Sequence, residues 1–246
     1  MEGSCFNNIA KDYHSKRKKP WRPLEFFLDF LKNKGYCFEG IILDLGCANG
    51  RNFKTMNNPP SKLIGIDISL KLLKIANSDL KNVDQFSSYE SKFFQLIHSD
   101  IANLPIRENS INVIFSIATI HHIEKKSERK SALFQMHESL EEKGKLILTV
   151  WRKWQKKFRD YFLWEWIKRN FYLDYKNQQK MIGLEEFGDK YVPWTLSKEN
   201  KAYDRFYHFF SKHELKKLMR IFKIIEFKIT GGPTNKDNFF VFVRKS

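Results

Sequence analysis

Ile41-Ile-Leu-Asp-Leu-Gly-Cys-Ala-Asn-Gly50, followed by Gly65-Ile-Asp-Ile-Ser69, decides how this chain folds. The first stretch is an apolar strand that ends in a turn of small residues; the second is a short strand that ends in an acid. Such a pair builds a nucleoside pocket at the mouth of a parallel sheet. Gly46, Ala48 and Gly50 let backbone N–H groups approach a ligand. Asp67, 17 residues beyond Gly50, is placed to accept hydrogen bonds from ribose hydroxyls.

A dinucleotide site reads G-x-G-x-x-G and brings a pyrophosphate to a helix N-terminus. Here the spacing is Gly46-x-Ala48-x-Gly50, and Asp44 lies in the strand just before the turn. A carboxylate there repels phosphate and suits a ligand that carries an ammonium and a sulfonium. S-adenosylmethionine is such a ligand, so the motif points to methyl transfer while leaving the acceptor open.

Around this centre, strand and helix alternate. Residues 23–35 read as a helix, with Leu24, Phe27, Leu28 and Leu31 at helical spacing, Pro23 in the first turn and Gly35 as the cap. Strands are expected at 41–45, 63–67, 93–98, 111–117 and 145–151. Ser69 caps a helix whose Leu72, Leu73, Ala76 and Leu80 share one face. Residues 127–140 form a further helix and 141–144 a turn. This rhythm predicts an α/β doubly wound sheet. Residues 152–182 break it. They hold nine basic residues against three acids, nine aromatics, and neither Gly nor Pro, which predicts a basic aromatic helical segment. One reading packs its rings on the sheet with lysines in water; the other is a lid that offers cations to phosphates and rings to bases. Ser211-x-x-Glu214 is a capping box opening a helix with Leu215, Leu218, Met219 and Phe222 inward. Residues 223–230 and 238–244 close the chain as a hairpin around Gly231-Gly-Pro233. Everything after Gly183 is expected to return to the same sheet.

Composition narrows the classes. With 246 residues and a hydrophobic fraction of 42%, the chain suits one large α/β domain. No apolar run approaches the roughly 18 residues needed to span a membrane, and residues 1–8 lack the apolar segment of a secretory signal. Cys5, Cys37 and Cys47 form no C-x-x-C pair, so neither a disulfide framework nor a metal site is expected. A cytoplasmic location follows as the expectation. Forty-four Lys and Arg against 28 Asp and Glu give a net charge of +16, which favours polyanionic partners; a lysine-rich proteome is the plainer source of the same number.

Several further motifs carry a resemblance. Phe6-Asn-Asn-Ile-Ala-Lys-Asp-Tyr13 and Arg17-Lys-Lys-Pro-Trp21 precede the core motif Asp44-Leu-Gly-Cys-Ala-Asn-Gly50. Asp100-x-x-x-Leu-Pro105, Ile120-His-His122, Gly188-Asp-x-x-Val-Pro-Trp194, Arg205-Phe-Tyr-His208 and Lys236-Asp-Asn-Phe-Phe240 follow it. Taken together the chain resembles, nearly end to end, the methyltransferases that esterify carboxymethyluridine at the tRNA wobble position. It departs from that family in placing Ala48 where Gly is usual, and Phe239-Phe240 where tryptophans are commoner.

The resemblance implies a class I methyltransferase fold with a mostly parallel seven-stranded sheet. One methyltransferase domain would span residues 1–246, with 152–210 an insertion or lid for RNA and substrate. It implies S-adenosylmethionine as cofactor, held by Asp44, Gly46, Ala48, Gly50, Asp67, Ile68, Asp100 and Ile101. It also implies tRNA as substrate and, as partner, a small zinc-binding activator protein on an apolar sheet edge, here strand three with Phe93, Phe94, Leu96 and Ile97. A carboxylate acceptor is ionised near neutral pH and needs orientation rather than a general base. Arg17 and Arg205 are candidates to fix carboxylate or phosphate, and His121 faces the reacting methyl. Asp189 and Trp194 complete the candidate catalytic set, with Trp194 either stacking on a flipped base or packing as core. Two other readings stay open: methylation of a small-molecule carboxylate, and a non-catalytic RNA-binding subunit with a vestigial pocket.

Overall fold

The computed structural model describes residues 5–55, 62–81 and 94–246. Phe93, expected on strand three, lies outside them. The chain opens with helix α1 (Cys5–Lys16), which the sequence did not announce, and continues into α2 (Arg22–Asn33). Pro23 sits in the first turn of α2, where its missing N–H costs no bond, and Leu24, Phe27, Leu28 and Leu31 are buried along one face. β1 (Ile41–Leu45), β2 (Lys62–Asp67), α3 (Leu70–Lys81), β3 (Phe94–His98) and β4 (Ile111–Ile117) follow the expected rhythm. Ser69 Oγ accepts the Leu72 N–H at 3.3 Å and so caps α3.

Helix α4 (Lys126–Ser139) leads into β5 (Leu140–Trp151). The expected turn at 141–144 survives as an irregularity at the start of that strand. Pairing with β4 jumps from Leu140 to Lys145, and Lys143 takes φ +63°. The sheet order is β3-β2-β1-β4-β5-β9-β8, with β8 (Phe222–Thr230) and β9 (Asn238–Lys245) forming the closing hairpin. β1 to β5 pair in parallel; β9 alone runs antiparallel to β5 and to β8. This is the class I methyltransferase sheet. β1, β4 and β5 lie centrally and are apolar on both faces, as parallel strands covered by helices must be.

Three expectations change between β5 and β8. The helix expected across 152–182 starts only at Arg159 and breaks in two, α5 (Arg159–Phe171) and α6 (Leu173–Met181). Tyr172 between them is extended (φ −127°, ψ 100°), and the Arg169 guanidinium turns the chain by donating to the carbonyl oxygens of Leu184 (2.8 Å) and Glu185 (3.1 Å). The segment after Gly183 does not all rejoin the main sheet. β6 (Asp189–Thr195) and β7 (Ala202–His208) form a two-stranded antiparallel ribbon of their own, bridged to the main sheet at Arg152–Phe210. Pro193 has no N–H to donate and suits such a ribbon. Finally, α7 (Lys212–Leu218) carries the expected capping box, but Met219–Ile221 tighten into a 3₁₀ turn and Phe222 already belongs to β8. Among the described residues no helix is long and apolar enough to cross a membrane.

Candidate active site

The small-residue turn after β1 is held open from both sides. Gly46 takes φ +73°, and a Cβ there would lie 2.3 Å from the Thr119 side chain, whose hydroxyl donates to the Leu45 carbonyl at 2.9 Å. Ala48 takes φ +52°, the left-handed region in which glycine is unstrained, which accounts for glycine being usual at this place. Its N–H donates to Asp67 Oδ2 at 2.8 Å, and the Ser69 N–H donates to Asp67 Oδ1 at 2.7 Å. Each Asp67 oxygen keeps a lone pair for a further donor. Burial raises the Asp67 pKa, with the two backbone donors pulling against it.

Asp44 lies deeper, at the end of β1. Burial, reinforced by the charge on Asp67 and partly offset by Arg51, raises its pKa to about 7. Its Oδ2 is buried without a hydrogen-bond partner among the described residues. A buried carboxylate oxygen with no donor calls for a cationic ligand group. Asp100 closes the far side as an Asx turn, accepting the Ala102 N–H at 2.9 Å, with Ile101 buried and Ile68 half-buried beside it. These acceptor carboxylates therefore fit a ligand with an ammonium and a ribose.

The second half of the site is built by β4, β5 and the ribbon. His121 lies in the 3₁₀ turn after β4 and is buried. Its Nδ1 accepts the Trp151 N–H at 3.3 Å, which puts the ring proton on Nε2, and Nε2 has no partner among the described residues. Burial, then the neighbouring His122, Arg205 and His208, hold its pKa well below the usual value, so the ring is neutral. The rings of His121 and Tyr207 stack 5.0 Å apart. On β7, Arg205 is 8% exposed, and its guanidinium lies 4.7 Å from the Trp194 ring and 5.1 Å from Tyr207. Its Nε is buried without an acceptor, and among the described residues it makes no ion pair. Arg17, exposed just past the end of α1, reaches the same Trp194 ring at 5.8 Å.

Helix α1 straps the two halves together. Asn7 Oδ1 accepts from Ser69 Oγ at 2.8 Å and from the Lys71 N–H at 3.1 Å, on the cofactor side. Asp12 accepts from Trp194 Nε1 at 2.7 Å and from the Ser197 N–H at 2.8 Å, on the ribbon side. Asn49 in the glycine turn donates to the Arg17 carbonyl at 3.0 Å.

The structure thus brings His121, Arg205, Trp194 and Arg17 together and places Asp189 elsewhere. Asp189 is buried at the start of β6, where its oxygens accept the Glu186 N–H and His208 Nδ1, each at 2.6 Å. His208 Nε2 bonds Glu214 at 2.7 Å, and Lys153 lies 3.7 Å from Glu214. Burial opposes charge on His208, but its bonds to Asp189 and Glu214 prevail and raise its pKa. Glu186, His208 and Glu214 cluster closely enough to suggest a metal. The cations are already supplied: Arg129 and Lys126 pair with Glu186, and Lys153 with Glu214. Sequence reasoning gave no role to Tyr207, His208, Asn7 or Asp12, although all four lie inside motifs it had singled out, the first two in residues 205–208 and the others in residues 6–13.

Residues 43–148 match the methyltransferase domain family. A protein of Schizosaccharomyces pombe named tRNA (carboxymethyluridine(34)-5-O)-methyltransferase is 28% identical over 98% of this chain and 94% of its own length. The domain match and the order of the seven-stranded sheet give the chain the class I methyltransferase fold. An Arabidopsis thaliana protein with the same name is 30% identical over 59% of this methyltransferase and 31% of its own length. The crystal structure of an S-adenosylmethionine-dependent methyltransferase from Methanosarcina mazei superposes with a TM-score of 0.66 at 17% identity, covering 87% of this chain and 96% of that one. S-adenosylmethionine is the cofactor of this methyltransferase, and the acids of the first half are the groups that fit it.

Proposed function

We propose that this methyltransferase esterifies the carboxylate of 5-carboxymethyluridine at the tRNA wobble position. One observation carries the reading: Arg205 Nε–H and His121 Nε2–H are buried donors without acceptors, set against the same Tyr207 ring. Two buried donors left unpaired are costly unless an acceptor meets them, and an anion meets a guanidinium best. A carboxylate is such an anion. The names of the fission yeast and Arabidopsis relatives give the same acceptor for those proteins.

S-adenosylmethionine, when bound, supplies an electrophilic methyl on a sulfonium. The chain's own residues hold and orient the acceptor. A carboxylate is already ionised at neutral pH, so no proton need be removed. His121 cannot serve as a base through Nδ1, which the Trp151 N–H occupies; it donates through Nε2. Arg205 stays fixed between Trp194 and Tyr207, so its donors meet the acceptor without reorganising. Arg17, exposed, serves a phosphate or the rim of the pocket. Asp189 is a positioning residue, acting through His208 on the end of β7. We assign the whole of residues 1–246 to one methyltransferase domain. Edge strand β3, with Leu96 and Ile97 half-buried, is where a small zinc-binding activator protein would pair.

Replacing Arg205 tests the pocket. Arg205→Ala removes a charge-assisted interaction worth about 1.5–3 kcal/mol, so kcat/KM on carboxymethylated tRNA should fall about 10- to 100-fold. Calorimetric affinity for S-adenosylmethionine should stay at the wild-type value. Unchanged turnover would move the acceptor site away from Arg205.

A further inference from the structure

The α5–α6 hairpin divides into a packed inner face and an exposed remainder. Its inner face is clamped: Phe158 and Phe162 pack with Val192, Tyr207 and Phe209, and buried Glu165 pairs with Arg169 while accepting the Tyr175 hydroxyl. The rest of its surface carries rings the fold does not use, with Trp164 and Trp166, two residues apart, on different flanks of α5. Trp164 is 61% exposed, Trp166 47% and Phe171 72%, and α6 buries no residue at all. Leaving two indoles in water gains the fold nothing, and large exposed rings gathered on one hairpin mark a binding surface.

Charge selects the occupant. Lys157 just before this hairpin and Lys168, Lys176 and Lys180 on it are all exposed, against the exposed acids Asp160 and Asp174. The cations are interleaved with the rings rather than segregated from them. Lys168 follows Trp164 by one helical turn, and Lys176 follows Tyr172 by four residues. A helix that lies on a membrane separates an apolar face from a basic one; a single-stranded nucleic acid needs phosphate and base contacts in alternation. The hairpin is also continuous with the acceptor pocket, because the Trp151 ring stacks on Tyr207 at 4.3 Å and on Phe158 at 6.1 Å.

Resting on the RNA reading above, we infer that the exposed surface of α5–α6 is a stacking platform for unpaired nucleotides of the substrate RNA next to the methylated one. Trp164 and Trp166 take bases, and the four lysines take phosphates.

The full chain is tested with a short fluorescent oligouridylate, a duplex RNA of equal length, and phosphatidylserine vesicles. Trp164→Ala combined with Trp166→Ala should weaken oligouridylate binding about tenfold or more without changing the slope of log affinity against log salt. Lys168→Gln combined with Lys176→Gln should make that slope shallower by about 0.7 for each phosphate that is no longer neutralised. All four side chains are exposed, so thermal unfolding should match wild type. Wild-type oligouridylate affinity in both variants overturns the inference, as does duplex binding as tight as single-strand binding. Loss of vesicle binding alone, or of concentration-dependent self-association alone, assigns the surface to a membrane or a second copy and overturns it too. Turnover of the wild type on carboxymethylated tRNA separates the two readings. Turnover with both variants binding normally sinks the platform alone; no turnover with binding lost in the variants sinks the acceptor alone.

Discussion

At the carboxyl of Asp44 a proton and a cationic ligand compete for one buried oxygen. Its pKa of about 7 lies above the ordinary carboxylate value of about 3.9. The ionised form is therefore scarce below pH 7 and dominant above it. S-adenosylmethionine affinity should rise as pH increases from 5.5 to 7.5, by up to about tenfold per unit below the pKa. Asp44→Asn should bind more weakly and lose this dependence. Calorimetry at three pH values decides it, and equal wild-type affinity throughout would contradict the assignment. The acids of this half were legible because they sit beside a strand and a small-residue turn whose spacing is local. His121 was legible as a residue, but its donor role was not. That role depends on the Trp151 N–H, which comes from a neighbouring strand.

Two elements, the ribbon and α1, shape the acceptor half. The ribbon is pinned by buried His208 between Asp189 and Glu214. A histidine whose folded pKa is raised adds stability that is complete below its unfolded value, near 6.5, and is lost as pH rises through the folded value. Thermal stability should accordingly decline above about pH 6.5. His208→Ala should remove that decline and cost about 3–5 kcal/mol, because Asp189 is left buried and unpaired. A parallel pH profile in the variant would place the titration elsewhere. For α1, Asp12→Ala should raise the tRNA KM about tenfold with little change in cofactor affinity, and Asn7→Ala should do the reverse. Equal effects of both on both ligands would reduce α1 to scaffold. Neither element was readable in advance. α1 buries only Ile9 and Ala10, too few for a helical period, and its bonds span up to 185 residues of sequence. The ribbon hid behind Pro193 and behind the assumption that every late strand joins one sheet. β1, β2 and β4 were readable almost to the residue, because burial on both faces leaves an uninterrupted apolar run.

For the whole molecule, a basic chain with its cofactor acids on one side and two unpaired donors, cationic Arg205 and neutral His121, on the other is arranged to bring a polyanion to a sulfonium. The sheet supplies the first half and the ribbon the second, and α1 ties them together. The most direct test follows methyl label from S-adenosylmethionine into two tRNA preparations, with and without the carboxymethyl group on the wobble uridine. An ester requires label on the modified tRNA only, released by mild alkali. Alkali-stable label, or equal labelling of both preparations, would contradict carboxylate methylation.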